Sequence, residues 1–296
     1  MRTLADDLLE GSIDLHAHIY PQTSLGESGR LLDHEWARAA RDVGMRGFAM
    51  KSHYWPTIGQ ARILNETFPG LDVLGGIVLN GHVGGFCPFT AESAIKLGVK
   101  IIWMPTFSAA NDIKVESYSQ RVKQNFANTP PGNGMEVWDK NREILPEVTS
   151  ILELARDADV AVATGHISAA ESVALARKAH EVGLKKFIFT HPIINIVEAT
   201  KAQLKEVADL GYIIEFTWIS AFPMWQGLDP KAVAAAAKAV GANRCIMTTD
   251  AQNDFNPTAP EMLRMFIATM LQLGVDKGDI EWMVKRNPAR LANLEG

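Results

Sequence analysis

One phrase recurs along this 296-residue chain: a short apolar run, a longer amphipathic stretch, a glycine, then the next apolar run. The apolar runs lie at about 12–18, 46–51, 72–79, 99–104, 159–165, 186–190, 212–216 and 244–249. Helix-like stretches fall between them at about 33–43, 57–68, 90–97, 142–157, 169–182, 200–210 and 230–240. Five of these end in Val43-Gly44, Leu97-Gly98, Val182-Gly183, Leu210-Gly211 and Val240-Gly241. Glycine tolerates the left-handed conformation that closes a helix, so each pair reads as a stop. Strands separated by helices run parallel. Eight such units predict an α/β fold, the (β/α)8 or TIM barrel, within the length such barrels need. A doubly wound open sheet is the alternative. No linker or domain-sized repeat interrupts the pattern, so one domain over 1–296 is expected.

One segment departs from the rhythm. From Thr106 to about Asn141 the chain is polar, with Thr129-Pro130-Pro131-Gly132-Asn133-Gly134 and little periodicity. Loops of this length are uncommon unless they serve a function or lack order. Placed after the fourth strand, it is expected either to lie over the barrel mouth as a lid or to be a surface excursion. The tail, 257–273 and 280–294, reads as closing helices, with Pro288 starting the last.

Composition narrows the partners. A net charge of -5 and a pI near 5.9 leave no broad basic surface for nucleic acid. The two cysteines, Cys87 and Cys245, are too few for a disulfide framework or a thiolate zinc ribbon and are expected to be inert. The first residues carry early acids and no signal-peptide core, and no run approaches the length of a membrane span. The expected setting is the cytoplasm. The expected partners are a small-molecule substrate and other copies of this chain, without nucleic acid or membrane.

The chemistry starts in Ile13-Asp14-Leu15-His16-Ala17-His18. His16 and His18 are two apart, so on an extended backbone both imidazoles leave one face. Two imidazoles at a strand's carboxyl end make half of a divalent-metal site. Alone, the pair reads better as hydrogen-bonded strand histidines. The fifth, sixth and eighth apolar runs, however, end at His166, His191 and Asp250. Carboxyl ends of barrel strands form the active face. Imidazole and carboxylate ligands without thiolate suit Zn2+, and also Mn2+ or Fe2+. The second run ends at Lys51, with His53 just beyond, and the seventh contains Glu215. Lys51 and His53 are candidates for substrate contact, Lys51 alternatively pairing with Asp14 or Glu215, and His53 alternatively being a ligand. Glu215 is an acid–base or orienting candidate. Trp55, Trp103, Trp218 and Trp225 fall near strand ends with Tyr54, Phe107 and Phe255. Those facing inward, Trp103 and Trp218 among them, would form a pocket for a flat substrate. His82 is a weaker candidate, and His34 and His180 read as solvated helix residues.

This order of ligands resembles the amidohydrolase superfamily: His-x-His after strand one, His after strands five and six, Asp after strand eight. The resemblance covers almost the whole chain, including the closing Asn287-Pro288-Ala289-Arg290-Leu291. In Lys51-Ser52-His53-Tyr54, Trp103-Met104-Pro105-Thr106 and Thr164-Gly165-His166 it is similar to a poorly characterised branch. It implies a metal-dependent hydrolase of a small amide, lactam, lactone or related ester, with Asp250 as proton shuttle. A metal-dependent decarboxylase on the same scaffold is the alternative, and a catalytically silent small-ligand-binding barrel the second. Two-metal members carry a bridging Lys or Glu after strand four, where this chain has Trp103-Met104-Pro105-Thr106. The resemblance therefore implies one metal, held by His16, His18, Asp250 and either His191 or His166. A carboxylated Lys51 bridging two metals is the competing expectation. No Gly-x-Ser-x-Gly elbow or Walker A loop is present.

Overall fold

The eight apolar runs become eight parallel strands in consecutive order: β1 Ile13–His18, β2 Gly47–Lys51, β3 Asp72–Val78, β4 Ile101–Trp103, β5 Ala161–Ala163, β6 Phe187–Phe189, β7 Ile213–Thr217 and β8 Cys245–Thr248. The computed structural model describes residues 2–19, 31–125, 134–223, 225–252 and 257–295. Strand β1 meets the chain just beyond β8. The Asp250 N–H donates to the His16 carbonyl at 2.7 Å, the His18 N–H donates to the Ala251 carbonyl at 2.9 Å, and Ala17 bridges Ala251. Those bonds close the sheet into the expected (β/α)8 barrel rather than leaving it open.

Helices connect the strands as the periodicity predicts, at Asp33–Asp42, Ile58–Thr67, Pro88–Lys96, Pro146–Asp157, Ala169–Glu181, Lys201–Asp209 and Pro230–Val240. Each of the five stop glycines has a positive φ, from +75° at Gly44 to +99° at Gly241. The fourth of these helices starts at Pro146 rather than near 142, because Arg142 takes a φ of +64° and Trp138 bridges Ile144. A helix at Leu4–Leu9, with a Thr3–Asp6 capping box, precedes β1 and was not anticipated by the apolar pattern. The tail forms Ala259–Gln272, Lys277–Glu281, a π turn at Trp282–Arg286, and Asn287–Ala292. Among the described residues no helix is long and apolar enough to cross a membrane.

Two apolar layers result. The barrel interior is filled by Ile13, Leu15, Ala49, Leu74, Val78, Ile101, Trp103, Ala161, Ala163, Ile188, Ile213 and Ile246, with Ala289, Leu291 and Ala292 of the last helix in the same cluster. The alternate strand residues join the helices in a larger outer layer. Strand β1 switches between the layers. Ile13 and Leu15 face inward, yet Ala17 and Ile19 belong to the outer layer. The register against β2 shifts between Asp14 and Ala17, so a bulge reverses the alternation.

The segment after β4 is not structureless. It holds helices at Ala110–Lys114 and Tyr118–Asn125, and the Met135 N–H returns to the Ser108 carbonyl. Its stretch 126–133, with most of the proline–glycine run, lies outside the described residues.

Candidate metal centre

The bulge in β1 turns His16 and His18 toward the barrel mouth. His16 Nε2 lies 3.3 Å from His18 Nε2, and Asp250 Oδ1 lies 3.2 Å from the first and 2.8 Å from the second. Among the described residues these three form the one group of ligand atoms converging closely enough to share an ion. Tetrahedral ligands about 2.0–2.1 Å from a zinc ion are about 3.3 Å apart, so the donor set fits one divalent ion.

Each ligand is held from behind. His16 Nδ1 is 3.1 Å from Glu215 Oε1, which also accepts the Thr248 hydroxyl at 2.9 Å. That carboxylate fixes the His16 tautomer, leaving Nε2 for the ion. Of the two roles expected for Glu215, its place favours the orienting one: it sits behind His16 at 2% exposure. Asp14, fully buried, accepts the His16 and Thr249 backbone N–H groups at 3.1 Å and the Thr249 hydroxyl at 2.5 Å, tying β1 to the end of β8. Replacing Thr249 by Val removes one donor from a buried carboxylate. The expected cost is about 1–3 kcal/mol, read from urea unfolding, and an unchanged midpoint would show the bond to be inessential.

Five imidazoles form a closed ring around the mouth. Successive ring centroids are 5.1 Å apart for His16–His18, 4.6 Å for His18–His53, 5.9 Å for His53–His166, 5.2 Å for His166–His191 and 5.9 Å for His191–His16. All five are buried. Burial holds His53, His166 and His191 below the ordinary imidazole value, so they are neutral, the form that binds metals. Burial also presses His18 down to about 3, against the pull of Asp250. For His16 burial is outweighed by Asp250 and Glu215, which lift it to about 9, so an ion binding at Nε2 displaces a proton there while Nδ1–H stays on Glu215. Burial opposes ionisation of Asp250, yet His16 and the hydrogen bonds from both imidazoles keep it well below the usual carboxylate range.

The other expected site residues divide. Lys51 is fully buried, with Nζ 2.8 Å from His16 Nε2 and 5.6 Å from the centre of the Trp103 ring. Burial brings its ammonium down to about 8. His166 and His191 are in the ring of imidazoles but outside the three-ligand group. His191 and Asp250 both adopt positive φ, +28° and +51°. Trp103 is corrected from a substrate contact to the floor, packed in the barrel interior 6.1 Å from the His16 ring. Trp218 is corrected likewise: it stacks on Phe266 of a closing helix, in the outer layer. His82 is exposed, donates toward the Tyr54 carbonyl at 2.6 Å and stacks on Phe107, away from the ligands. Trp55 is exposed, and Phe255 lies outside the described residues. His34 and His180 are exposed on helices, as expected.

Beside the ligands opens a small cleft of ≈ 210 Å³, lined by His191, Asp250, Thr217, Tyr118, Trp225 and Asn195 among others. Tyr118 and Trp225 are parallel within 17° at 6.2 Å. Sequence reasoning missed Tyr118, Asp112 and Asn80, because each acts from a segment with no periodic signal. Asp112 Oδ2 lies 2.6 Å from His166 Nδ1, and Asn80 ties together the segments after β2, β3 and β4.

Fold and centre together define a (β/α)8 barrel with a His–His–Asp cluster at its mouth. Residues 11–215 match the model of a family of unknown function, DUF6282, and the chain belongs to that family. No curated protein matches the sequence. Solved structures share the fold at low identity. An amidohydrolase from Pseudomonas aeruginosa is 13% identical over 98% of each chain, with a TM-score of 0.67. The probable dipeptidase PvdM from the same organism is 12% identical over 98% of this chain and 97% of its own, TM-score 0.63. A 2,6-dihydroxybenzoate decarboxylase from Rhizobium is 14% identical over 97% and 100%, TM-score 0.53.

Proposed function

We propose that this protein is a hydrolase of a small amide, lactam, lactone or ester that uses one divalent metal ion, zinc by preference, held by His16, His18 and Asp250. The observation that carries the reading is the convergence of those three ligand atoms within 3.3 Å of one another, with Glu215 orienting His16 from behind. A bound divalent ion there supplies a Lewis acid that polarises the substrate carbonyl and acidifies water. The chain's own residues do the rest. Asp250 turns Oδ1 to the two imidazoles and has a second carboxylate oxygen to take a proton and return it to the leaving group. Tyr118 and Trp225 offer flat faces at the cleft, and His191 and Thr217 line it beside Asp250. Trp103, buried in the barrel interior, packs beside the His16 ring as the floor of the centre.

The test is the zinc-loaded protein against a panel of matched amides, lactams, lactones and esters in water enriched in heavy oxygen. Hydrolysis places one heavy oxygen in the product acid, and chelation abolishes it. Release of carbon dioxide without oxygen incorporation would replace the reading with a decarboxylase. Tight binding of panel members with no turnover would leave a ligand-binding barrel.

A further inference from the structure

Three of the ring imidazoles, His53, His166 and His191, have no part in the three-ligand group, and the first two are each wired to a different buried partner. The wiring fixes where their protons sit. Beside His53, Asn80 Oδ1 accepts the backbone N–H groups of Thr106 at 2.8 Å and Ser108 at 3.2 Å. Backbone N–H groups can only donate, so the amide cannot be turned around. Asn80 Nδ2 therefore donates to the His53 carbonyl and to Thr106 Oγ1, both at 2.9 Å. Thr106 is fully buried, and among the described residues its hydroxyl proton has one acceptor, His53 Nδ1 at 2.9 Å. With Nδ1 accepting, the single proton of neutral His53 is on Nε2. That nitrogen is buried and has no partner among the described residues.

Beside His166 the logic runs the other way. Asp112, fully buried on the helix Ala110–Lys114, accepts the Ser119 N–H on Oδ1 at 2.7 Å and faces His166 Nδ1 with Oδ2 at 2.6 Å. His166 Nδ1 donates, and Nε2 keeps its lone pair. The neighbouring Asn111 donates to the carbonyls of His166 and Ile196 at 3.0 and 2.7 Å, which pins the insertion over this imidazole.

We infer that His53 and His166 form a donor–acceptor pair of opposite tautomers, one offering Nε2–H and the other an Nε2 lone pair, that reads the C=O and N–H of an amide or lactam. The pair rests on the hydrolase reading and narrows its substrate. Their rings stand 5.9 Å apart and near perpendicular, neighbours in the ring of imidazoles that holds His16 and His18. His53 hydrogen-bonds the carbonyl oxygen, and the bond strengthens as charge grows there. His166 accepts the amide N–H. An ester or lactone carries no such hydrogen and leaves that acceptor unpaired, a loss that discriminates more strongly than a missing methylene. Asp112 and Thr106 are positioning residues that set the two tautomers.

The test combines imidazole nitrogen NMR on protein labelled at histidine with binding constants for matched lactam and lactone pairs. Resonances of His53 and His166 are assigned by their loss in His53→Gln and His166→Gln. The expected spectrum has His53 protonated on Nε2 and His166 on Nδ1. Asp112→Asn is nearly isosteric, but its one oxygen must still accept the Ser119 N–H. Its amide then points a donor at His166 Nδ1 and flips that ring to the Nε2–H form. Thr106→Val releases His53 from its single tautomer. Lactams bind at least tenfold more tightly than their lactones to the wild type, and Asp112→Asn erases that preference while still binding one zinc ion. Wild-type tautomers other than these, or a His166 that keeps Nδ1–H in Asp112→Asn, overturn the pair. Equal binding of lactam and lactone overturns the substrate assignment. If the tautomers are as stated and no panel member binds, the hydrolase reading fails and the donor–acceptor wiring stands.

Discussion

Zinc added to protein stripped by a chelator is expected to raise its melting temperature by roughly 5–10 °C, and His16→Ala and Asp250→Ala to show no such rise. The size follows from linkage. An ion at one hundred times its dissociation constant stabilises the folded state by about 2.7 kcal/mol, and a chain of this size gains about 2–4 °C per kcal/mol. The residue choice follows from geometry. His16 Nε2 stands at the apex of the cluster, within 3.3 Å of both other ligand atoms. Removing it leaves His18 and Asp250, too few ligands for a tight site. Turnover of any panel substrate should fall at least about 1000-fold in either variant, because both lose the ion and Asp250→Ala loses the proton acceptor with it. A rise as large in His16→Ala as in wild type would show that zinc binds elsewhere. Asp250→Asn separates the two roles: it keeps a neutral oxygen ligand while removing the proton acceptor, so it should bind zinc more weakly and remain inactive.

The largest loss of stability is expected at a glycine in the sheet, not in the apolar core. Gly47 opens β2, and a Cβ there would lie 2.0 Å from the backbone oxygen of Asp72 on β3. The obstacle is main chain in the β2–β3 ladder, so no rotamer change relieves it. Gly47→Ala should cost about 3 kcal/mol or more, at the upper end for overpacking. It should also lower metal affinity, since β2 pairs along β1, the strand that carries His16 and His18. Urea unfolding with zinc absent isolates the first effect. A loss below about 1 kcal/mol would mean that the two strands part without harm. By contrast Gly59, where an added Cβ would meet nothing within 4 Å, should accept Ala with little change.

Much of the centre was legible in the chain itself. His16, His18 and Asp250 could be picked out because barrel strands present their carboxyl ends to one face, and that rule needs only the strand order. The helix stops were legible for a similar reason: glycine pays least for a positive φ, so the residue type reveals the backbone. Trp103 and Trp218 were misjudged because a tryptophan near a strand end carries no mark of the layer it enters. Glu215 was left between two roles until its oxygen was placed against His16 Nδ1. Asp112 was invisible, since a lone acid in an aperiodic stretch gives no hint of an imidazole 54 positions away.

The sequence by itself determined the eight-fold alternation, the closure-ready order of strands and the residue types able to hold a cation, because these depend on periodicities of two and 3.6 residues and on local backbone preference. The direction of the two β1 imidazoles was decided only in three dimensions. Strict alternation from Ile13 and Leu15 sends Ala17 inward and His16 and His18 outward, and the bulge against β2 reverses that parity. A bulge arises from pairing with a neighbouring strand, which no local stretch encodes. The same holds for the proton positions on His53 and His166: they are set by Thr106 and Asp112, partners that only the closed barrel brings within hydrogen-bonding distance.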